Sequence, residues 1–235
     1  MNLLALDTST EMMSVAVQRQ AAGEPQVWQH SGAGGAQTSA QLIPVIQRLM
    51  AQARLQFSDL DAIAFGCGPG SFTGLRTACA VAQGLAFGAN LKVLPVDTLL
   101  SLAEEARAAH AASRPRYQVL ALLDARMDEM YAAGYVFDSG HWTQHLHCQL
   151  IRPENLLCDA GWALAGNVFA AYGALLPATL APRVAALPTA SAMLRLAPAL
   201  LAAGAAVRAD QAVPRYIRDK VAKTMSERAA EKRLP

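Results

Sequence analysis

Charge is scarce in this sequence. Only 16% of its 235 residues are Asp, Glu, Lys or Arg, and the formal net charge is +2. A chain that reads nucleic acid by itself usually carries a stronger basic field, so any contact with RNA is expected to be weak or shared with a partner. Cysteine is limited to Cys67, Cys79, Cys148 and Cys158. No two stand in Cys-x-x-Cys spacing, which excludes a zinc framework or a dithiol redox motif and fits a reducing compartment. No basic, apolar leader is expected, because the run at 3–6 stops at Asp7. There is no His-Glu-x-x-His motif. The stretch 160–182 lacks charge and is long enough to span a bilayer. It is filled with Ala and broken by Gly161, Gly166, Asn167, Gly173 and Pro177, so it is expected to be buried globular structure with turns. The location expected from these absences is the cytoplasm. What is plentiful is apolar surface: 53% of the residues are hydrophobic, ample for a real core in one large domain or two lobes.

The pattern along the chain predicts an α/β protein. The run at 3–6, the turn Asp7-Thr8-Ser9-Thr10 and the alternation at 13–17 read as a hairpin, with a third strand near Val27 and Trp28. A Gly-rich loop follows at 31–35. Leu42, Val45, Ile46 and Leu49 form one stripe of a helix over 38–55, in which Pro44 either sits near the first turn or kinks the axis. Strand 62–65, a glycine-dense loop 66–74, a helix of small residues over 75–87 and strand 93–96 complete a β-β-β-α-β-α-β order. A helix over 98–112 and a polar connector at 113–116 lead to strands at 119–123, 130–136 and 142–150. A last helix, 190–203, is interrupted by Pro198. The strand at 119–123 runs into Asp124 as the first runs into Asp7, a hint of two related lobes.

The densest signal is Gly66-Cys67-Gly68-Pro69-Gly70-Ser71-Phe72-Thr73-Gly74-Leu75-Arg76, between a strand and a helix. Glycines let backbone approach closely, and a helix N-terminus favours anions. The phosphate-loop patterns do not fit. Leu75 stands where Walker A needs Lys, the third glycine of a dinucleotide fingerprint falls one place late, and Pro69 spoils a nucleophile elbow. The loop is therefore either a tight turn that lets a helix pack on the sheet or a ligand loop.

The segment Gly68-Pro69-Gly70-Ser71-Phe72-Thr73-Gly74-Leu75-Arg76 resembles the signature of the TsaB family. Leu4-Ala5-Leu6-Asp7-Thr8-Ser9-Thr10 is similar to that family's opening strand. Asp124-Ala125-Arg126-Met127 with Glu129 and Tyr131 is similar to its second-lobe opening, and Pro214-Arg215-Tyr216-Ile217-Arg218 with Val221 and Ala222 to its C-terminal segment. The resemblance runs to about Lys223. It departs at Gln37-Thr38-Ser39, where members often carry His-Thr-Gln. It implies an actin-like, sugar-kinase-like fold of two lobes, each a mixed β-sheet flanked by helices, over 1–99 and 100–235, with a frayed basic tail after about 223.

The resemblance also implies a function. In this family the chain is a non-catalytic subunit without a cofactor. It docks on its paralogue TsaD, which moves the threonylcarbamoyl group from threonylcarbamoyl-AMP to an adenosine next to the tRNA anticodon. TsaE, an ATPase, joins the pair, and TsaC makes the intermediate. Alone, the subunit is expected to form a homodimer, and tRNA is reached only through the complex. The partner interface carries over to Gln41, Leu42, Val45, Arg48, Leu49, Leu75, Arg76, Cys79 and Gln83.

The chemistry-bearing residues point the same way. The His-x-x-x-His helix pair that holds metal in TsaD-type sites is missing from the first lobe, where His30 stands alone; His110 is likewise isolated. His141, His145 and His147 share a strand face by even spacing but lack a fourth ligand. Asp7, Thr8 and Ser9 occupy the place where this fold class holds a nucleotide phosphate. The preferred reading is that they satisfy their own turn, leaving a vestigial cleft. Asp124 and Arg126 are either a surface ion pair or part of that cleft. An actin-like ATP-binding enzyme is the alternative function. A peptidase finds Ser9 and Ser71 but no histidine beside either.

Overall fold

A computed structural model describes residues 1–35, 38–178 and 181–218. The tail expected to fray lies outside them, as do Gln37, Val221 and Ala222. Strands β1 (Leu3–Asp7), β2 (Met12–Arg19) and β3 (Gln26–Ala33) form an antiparallel meander. Every residue of β1 is buried, which is why it reads as an unbroken apolar run. Helix α1 (Thr38–Ala53) leads to β4 (Ala62–Gly68), parallel to β1, and α2 (Phe72–Ala89) to β5 (Lys92–Asp97), parallel to β4. Helix α3 (Thr98–His110) opens the second half. There β6 (Arg116–Arg126), β7 (Glu129–Asp138) and β8 (His141–Ile151) form a second meander. Strand β9 (Ala163–Gly166), the short α4 (Phe169–Tyr172) and β10 (Arg183–Ala185) follow, then α5 (Ala190–Ala202) and β11 (Val207–Arg208). The stretch 160–182, as far as it is described, holds β9, α4 and turns; it is buried at 162–166, while residues such as Leu175 are exposed, so the expectation of burial holds only in part. No helix among the described residues is long and apolar enough to cross a membrane.

The first sheet runs β11-β5-β4-β1-β2-β3 and the second β10-β9-β6-β7-β8. Without β11 the two share one plan: an antiparallel meander of three strands whose first member pairs in parallel with a fourth, and that with a fifth. Two mixed sheets flanked by helices make the actin-like, sugar-kinase-like architecture, and the matching orders show a repeat that the shared terminal Asp only hinted at.

The division at residue 100 differs from the expected one in an informative way. Helix α5 and β11 return to the first sheet. Ala190, Met193, Leu194 and Ala197 pack on Leu3, Ala5, Ala64 and Leu94, and β11 pairs with β5. The cause is coverage. The α1 and α2 residues Leu42, Ile46, Ala78 and Ala82 bury one face of that sheet, so its other apolar face needs a further helix. The intervening helix α3 packs instead on β6, β7 and β9 of the second sheet. Pro198 does not end α5, nor Pro44 α1. Both prolines are exposed, so neither ring takes space from the core.

The lobes are tied by Glu104 on α3, which is 2% exposed. It accepts from Arg107 (2.8 and 2.9 Å), Trp142 Nε1 of β8 (3.0 Å) and Arg195 Nε of α5 (2.8 Å). Burial pushes its carboxyl up, but the hydrogen bonds from Arg107, Arg195 and Trp142 outweigh that and hold it below its ordinary range.

Candidate functional site

The glycine loop is seated on the β1–β2 turn. A Cβ on Gly74 would lie 1.8 Å from the Thr8 carbonyl oxygen, and one on Gly70 2.6 Å from that of Ser9. Ser71 N donates to Ser9 O at 2.7 Å, and Thr8 Oγ1 donates to Gly74 O at 2.6 Å. Ser71 also caps α2, its hydroxyl accepting from Gly74 N. Of the two readings open in the sequence, close backbone packing is the one this geometry gives. The glycines bring two turns together; Pro69 stands between Gly68 and Gly70, and Phe72 and Thr73 open α2.

Asp7 is spent inside the same turn. Its Oδ1 accepts from Ser9 N (2.9 Å) and Ser9 Oγ (2.7 Å), its Oδ2 has no partner among the described residues, and the residue is 1% exposed. Burial raises its pKa from 3.8 to about 6 against the opposing bonds from Ser9. At neutral pH this costs the folded state about 3 kcal/mol. The folded state binds more protons than the unfolded between pH 3.8 and 6, so Asp7 contributes stability that rises as pH falls through that window. Asp7→Asn is therefore expected to stabilise the chain by about 1–2 kcal/mol at about pH 7.5, part of the gain being lost to an unpaired amide. It should also flatten the rise between about pH 6 and 4.5, above the range where Glu104 loses its ion pairs. Urea denaturation across that range measures both, and a wild-type profile with no such rise contradicts the assignment.

The repeat reappears here. Asp124 Oδ1 accepts from Arg126 N at 2.7 Å, as Asp7 does from Ser9 two residues on. Asp124 also accepts from Tyr172 OH (2.9 Å) and pairs with Arg126 (3.0 Å). A cleft of about 550 Å³ separates the two turns, with Ser9, Thr10, Gly70 and Ser71 on one wall and Asp124, Arg126, Met127 and Asn167 on the other. The Asp124–Arg126 pair is thus part of the interlobe cleft, whereas Asp7 is sealed behind its wall. Arg215, Tyr216, Ile217 and Arg218 also line the cleft. The sequence marked these only as a family segment; their cue was three polar or charged side chains in five residues with no periodicity.

Nucleophile geometry is lacking at the serines. Ser9 Oγ donates to Asp7, Ser71 Oγ serves the helix cap, and neither bonds a histidine among the described residues. Burial, with Asp97 adding to it, pushes the Cys67 thiol up to about 12, leaving it protonated at neutral pH. Strand β8 carries irregularities in its pairing with β7 on both sides of Leu146, which break the even spacing of His141, His145 and His147. His145 stacks on Trp162 at 5.4 Å. Among the described residues no three His, Cys, Asp or Glu side chains converge as for a metal ion.

The nine expected interface residues separate by burial. Leu42, Val45, Leu49, Leu75 and Cys79 are buried within the chain itself. Cys79 Sγ and Gln83 Nε2 both donate to Ala212 O (3.5 and 2.9 Å), and Arg76 Nε donates to Tyr216 OH at 2.9 Å. Gln41, Arg48 and Arg76 are exposed, and Gln83 half-buried. The outward face of these helices instead shows Ile43, Pro44 and Gln47 on α1 and Ala80, Gly84 and Phe87 on α2. Phe87 is 82% exposed. A groove of about 630 Å³ beside it is lined by Met50, Ala51, Leu55, Phe57, Gly84 and Gly88, among others. Both faces of these helices carry apolar or small residues, so spacing alone did not separate core from surface.

The family model described as "TsaD: tRNA N6-adenosine threonylcarbamoyltransferase" matches residues 32–226. The tRNA threonylcarbamoyladenosine biosynthesis protein TsaB of Haemophilus influenzae is 36% identical over 233 residues, covering 94% of this chain and 95% of that protein. The protein of the same name from Escherichia coli is 33% identical over 231 residues, covering 94% and 96%. The solved structure of YeaZ from Pseudomonas aeruginosa, 37% identical, superposes with a TM-score of 0.81 over 92% of this chain and 99% of that one.

Proposed function

The chain belongs to the TsaB family, and from that premise we propose that it is a non-catalytic subunit that binds and activates TsaD in forming threonylcarbamoyladenosine next to the tRNA anticodon. The observation that carries this reading is the extent of the likeness: both relatives named for this biosynthesis align over 94% of the chain. The geometry supports it in two ways. The turn that holds a nucleotide phosphate in this fold class is closed by the glycine loop and by its own Asp7. The outward face of α1 and α2 leaves Ile43, Phe87 and the groove beside it uncovered, and exposed apolar patches of this kind mark docking surfaces.

In this reading TsaD covers that face with Gln41, Arg48, Ile43, Gln47 and Phe87 as the residues in reach. A second copy of the chain takes it when TsaD is lacking, so the two pairings compete. TsaE binds the pair, and tRNA is met only through the complex, in keeping with a net charge of +2.

Reconstitution tests the role. TsaC, TsaD and TsaE are supplied with threonine, bicarbonate, ATP and unmodified tRNA, with and without this chain. Modified adenosine is expected only when the chain is added, and none from the chain alone. Equal product in both reactions overturns the reading. The 550 Å³ cleft is roomy enough for a nucleotide, so the ATP-binding alternative is tested directly by titrating ATP into the isolated chain.

A further inference from the structure

Beyond β11 the chain does not simply end against the first lobe. Ala209 and Ala212 are buried in the core that holds Ala78, Cys79 and Ala82 of α2, and Ala212 O receives the two α2 donors Cys79 and Gln83. Arg215 N donates to Cys67 O at 2.7 Å, and its side chain pairs with Asp97. Asp97 also caps α3 at Leu99 N and Leu100 N. Tyr216 stacks on Phe72 at 5.1 Å and holds Arg76, whose guanidinium lies 3.8 Å over the Phe72 ring. Ile217 then crosses into the second core. Arg218 ends the run on the β6–β7 connection, donating to Glu129 (2.5 Å), Arg126 O (3.3 Å) and Met127 Sδ (2.9 Å).

That connection is strained. Arg126, Met127 and Asp128 have φ of 62°, 58° and 58°. Two successive positive-φ residues in a two-residue hairpin ordinarily fall to Asn-Gly, and three in a row without glycine persist only where the surroundings hold them. Arg218 touches the turn at three points and comes from the far end of a segment whose near end grips α2 from Phe72 to Gln83.

We propose that residues 212–218 are a strap that couples the strained 126–129 turn at the mouth of the cleft to helix α2, so that releasing Arg218 loosens α2. The effect on partner binding rests on α2 being part of the partner face. The strap gives the cleft and that face one mechanical state. A molecule that displaces the turn acts on TsaD pairing without touching the interface.

The test uses the full chain with Arg218→Ala, and with Glu129→Gln, which breaks the same ion pair from the hairpin side while keeping its shape. Hydrogen exchange of the isolated chain is expected to rise at least about threefold in both variants over the α2 amides, with β1 and β4 amides unchanged. TsaD affinity, by light scattering or titration calorimetry, should fall by a similar factor. If the turn exchanges faster while α2 does not, the strap is a local clamp and the proposal fails. If α2 loosens and TsaD affinity is unchanged, the coupling stands and the partner-face reading falls. If Arg218→Ala raises exchange everywhere, Glu129→Gln and Arg218→Lys decide on the same readouts.

Discussion

The double variant Ile43→Glu, Phe87→Glu is expected to weaken pairing with TsaD by roughly a hundredfold or more while the chain melts at its usual temperature. Both side chains point away from the fold, at 45% and 82% exposure, so glutamate meets water in the free chain. In a docked complex each would bury a charge against an apolar partner surface. About 2 kcal/mol per centrally placed residue is usual for such positions, and each 1.4 kcal/mol is about tenfold in affinity. Leu49→Glu and Leu75→Glu, which the family resemblance alone recommends, are the wrong probes. Both positions face this chain's own core, and a charge there is expected to unfold the protein. Light scattering on mixtures with TsaD, paired with thermal denaturation, separates the cases. Full pairing by a folded double variant overturns the placement of the partner face.

Gly74→Ala is expected to cost more than about 4 kcal/mol, at the severe end for a single substitution. The new methyl would sit 1.8 Å from the Thr8 carbonyl oxygen. That atom is backbone, in a turn pinned by Ser71 N to Ser9 O and by Thr8 Oγ1 to Gly74 O. Neither partner yields without dismantling the loop and the first turn of α2. Ser71→Ala is the companion measurement, since it removes only the cap and is expected to cost about 1 kcal/mol. Urea titration of both reads the difference. A Gly74→Ala loss near that of the cap alone would mean that the two turns are not locked together.

How far the sequence carried the architecture follows from how each element is buried. Strands β1, β2 and β4 are apolar on both faces or nearly so, and such runs announce themselves. Strands β6 and β7 were legible from their own apolar and aromatic runs, and β8 from the spaced Trp142, Leu146, Cys148 and Leu150. Strands β9, β10 and β11 have four, three and two residues, too few for any period, and the alanine and glycine that fill β9 carry no strand preference in any case. The return of α5 to the first sheet is a tertiary choice that no local pattern encodes. It depends on which apolar face is left bare after α1 and α2 have docked. The glycine loop was conspicuous, but its purpose was not, because glycine serves a ligand and a neighbouring carbonyl equally well. Helices α1 and α2 were found, yet not which of their faces look inward. In α2, Ala78, Ala82 and Ala86 look inward while Ala80 and Gly84 look outward, and small residues on both sides erase the contrast on which periodicity depends.

Strand β11 has a consequence for the order in which the protein is made. It completes the edge of the first sheet, yet the whole second sheet lies between it and β5 along the chain. As the chain leaves the ribosome, the first lobe waits with the β5 edge and the α5 face open until the second has been synthesised, so the lobes mature together rather than in turn. A stop codon placed before residue 190 therefore removes no separable appendage: it leaves a nascent first half with bare apolar surface, which in a cell is a client for chaperones and proteases.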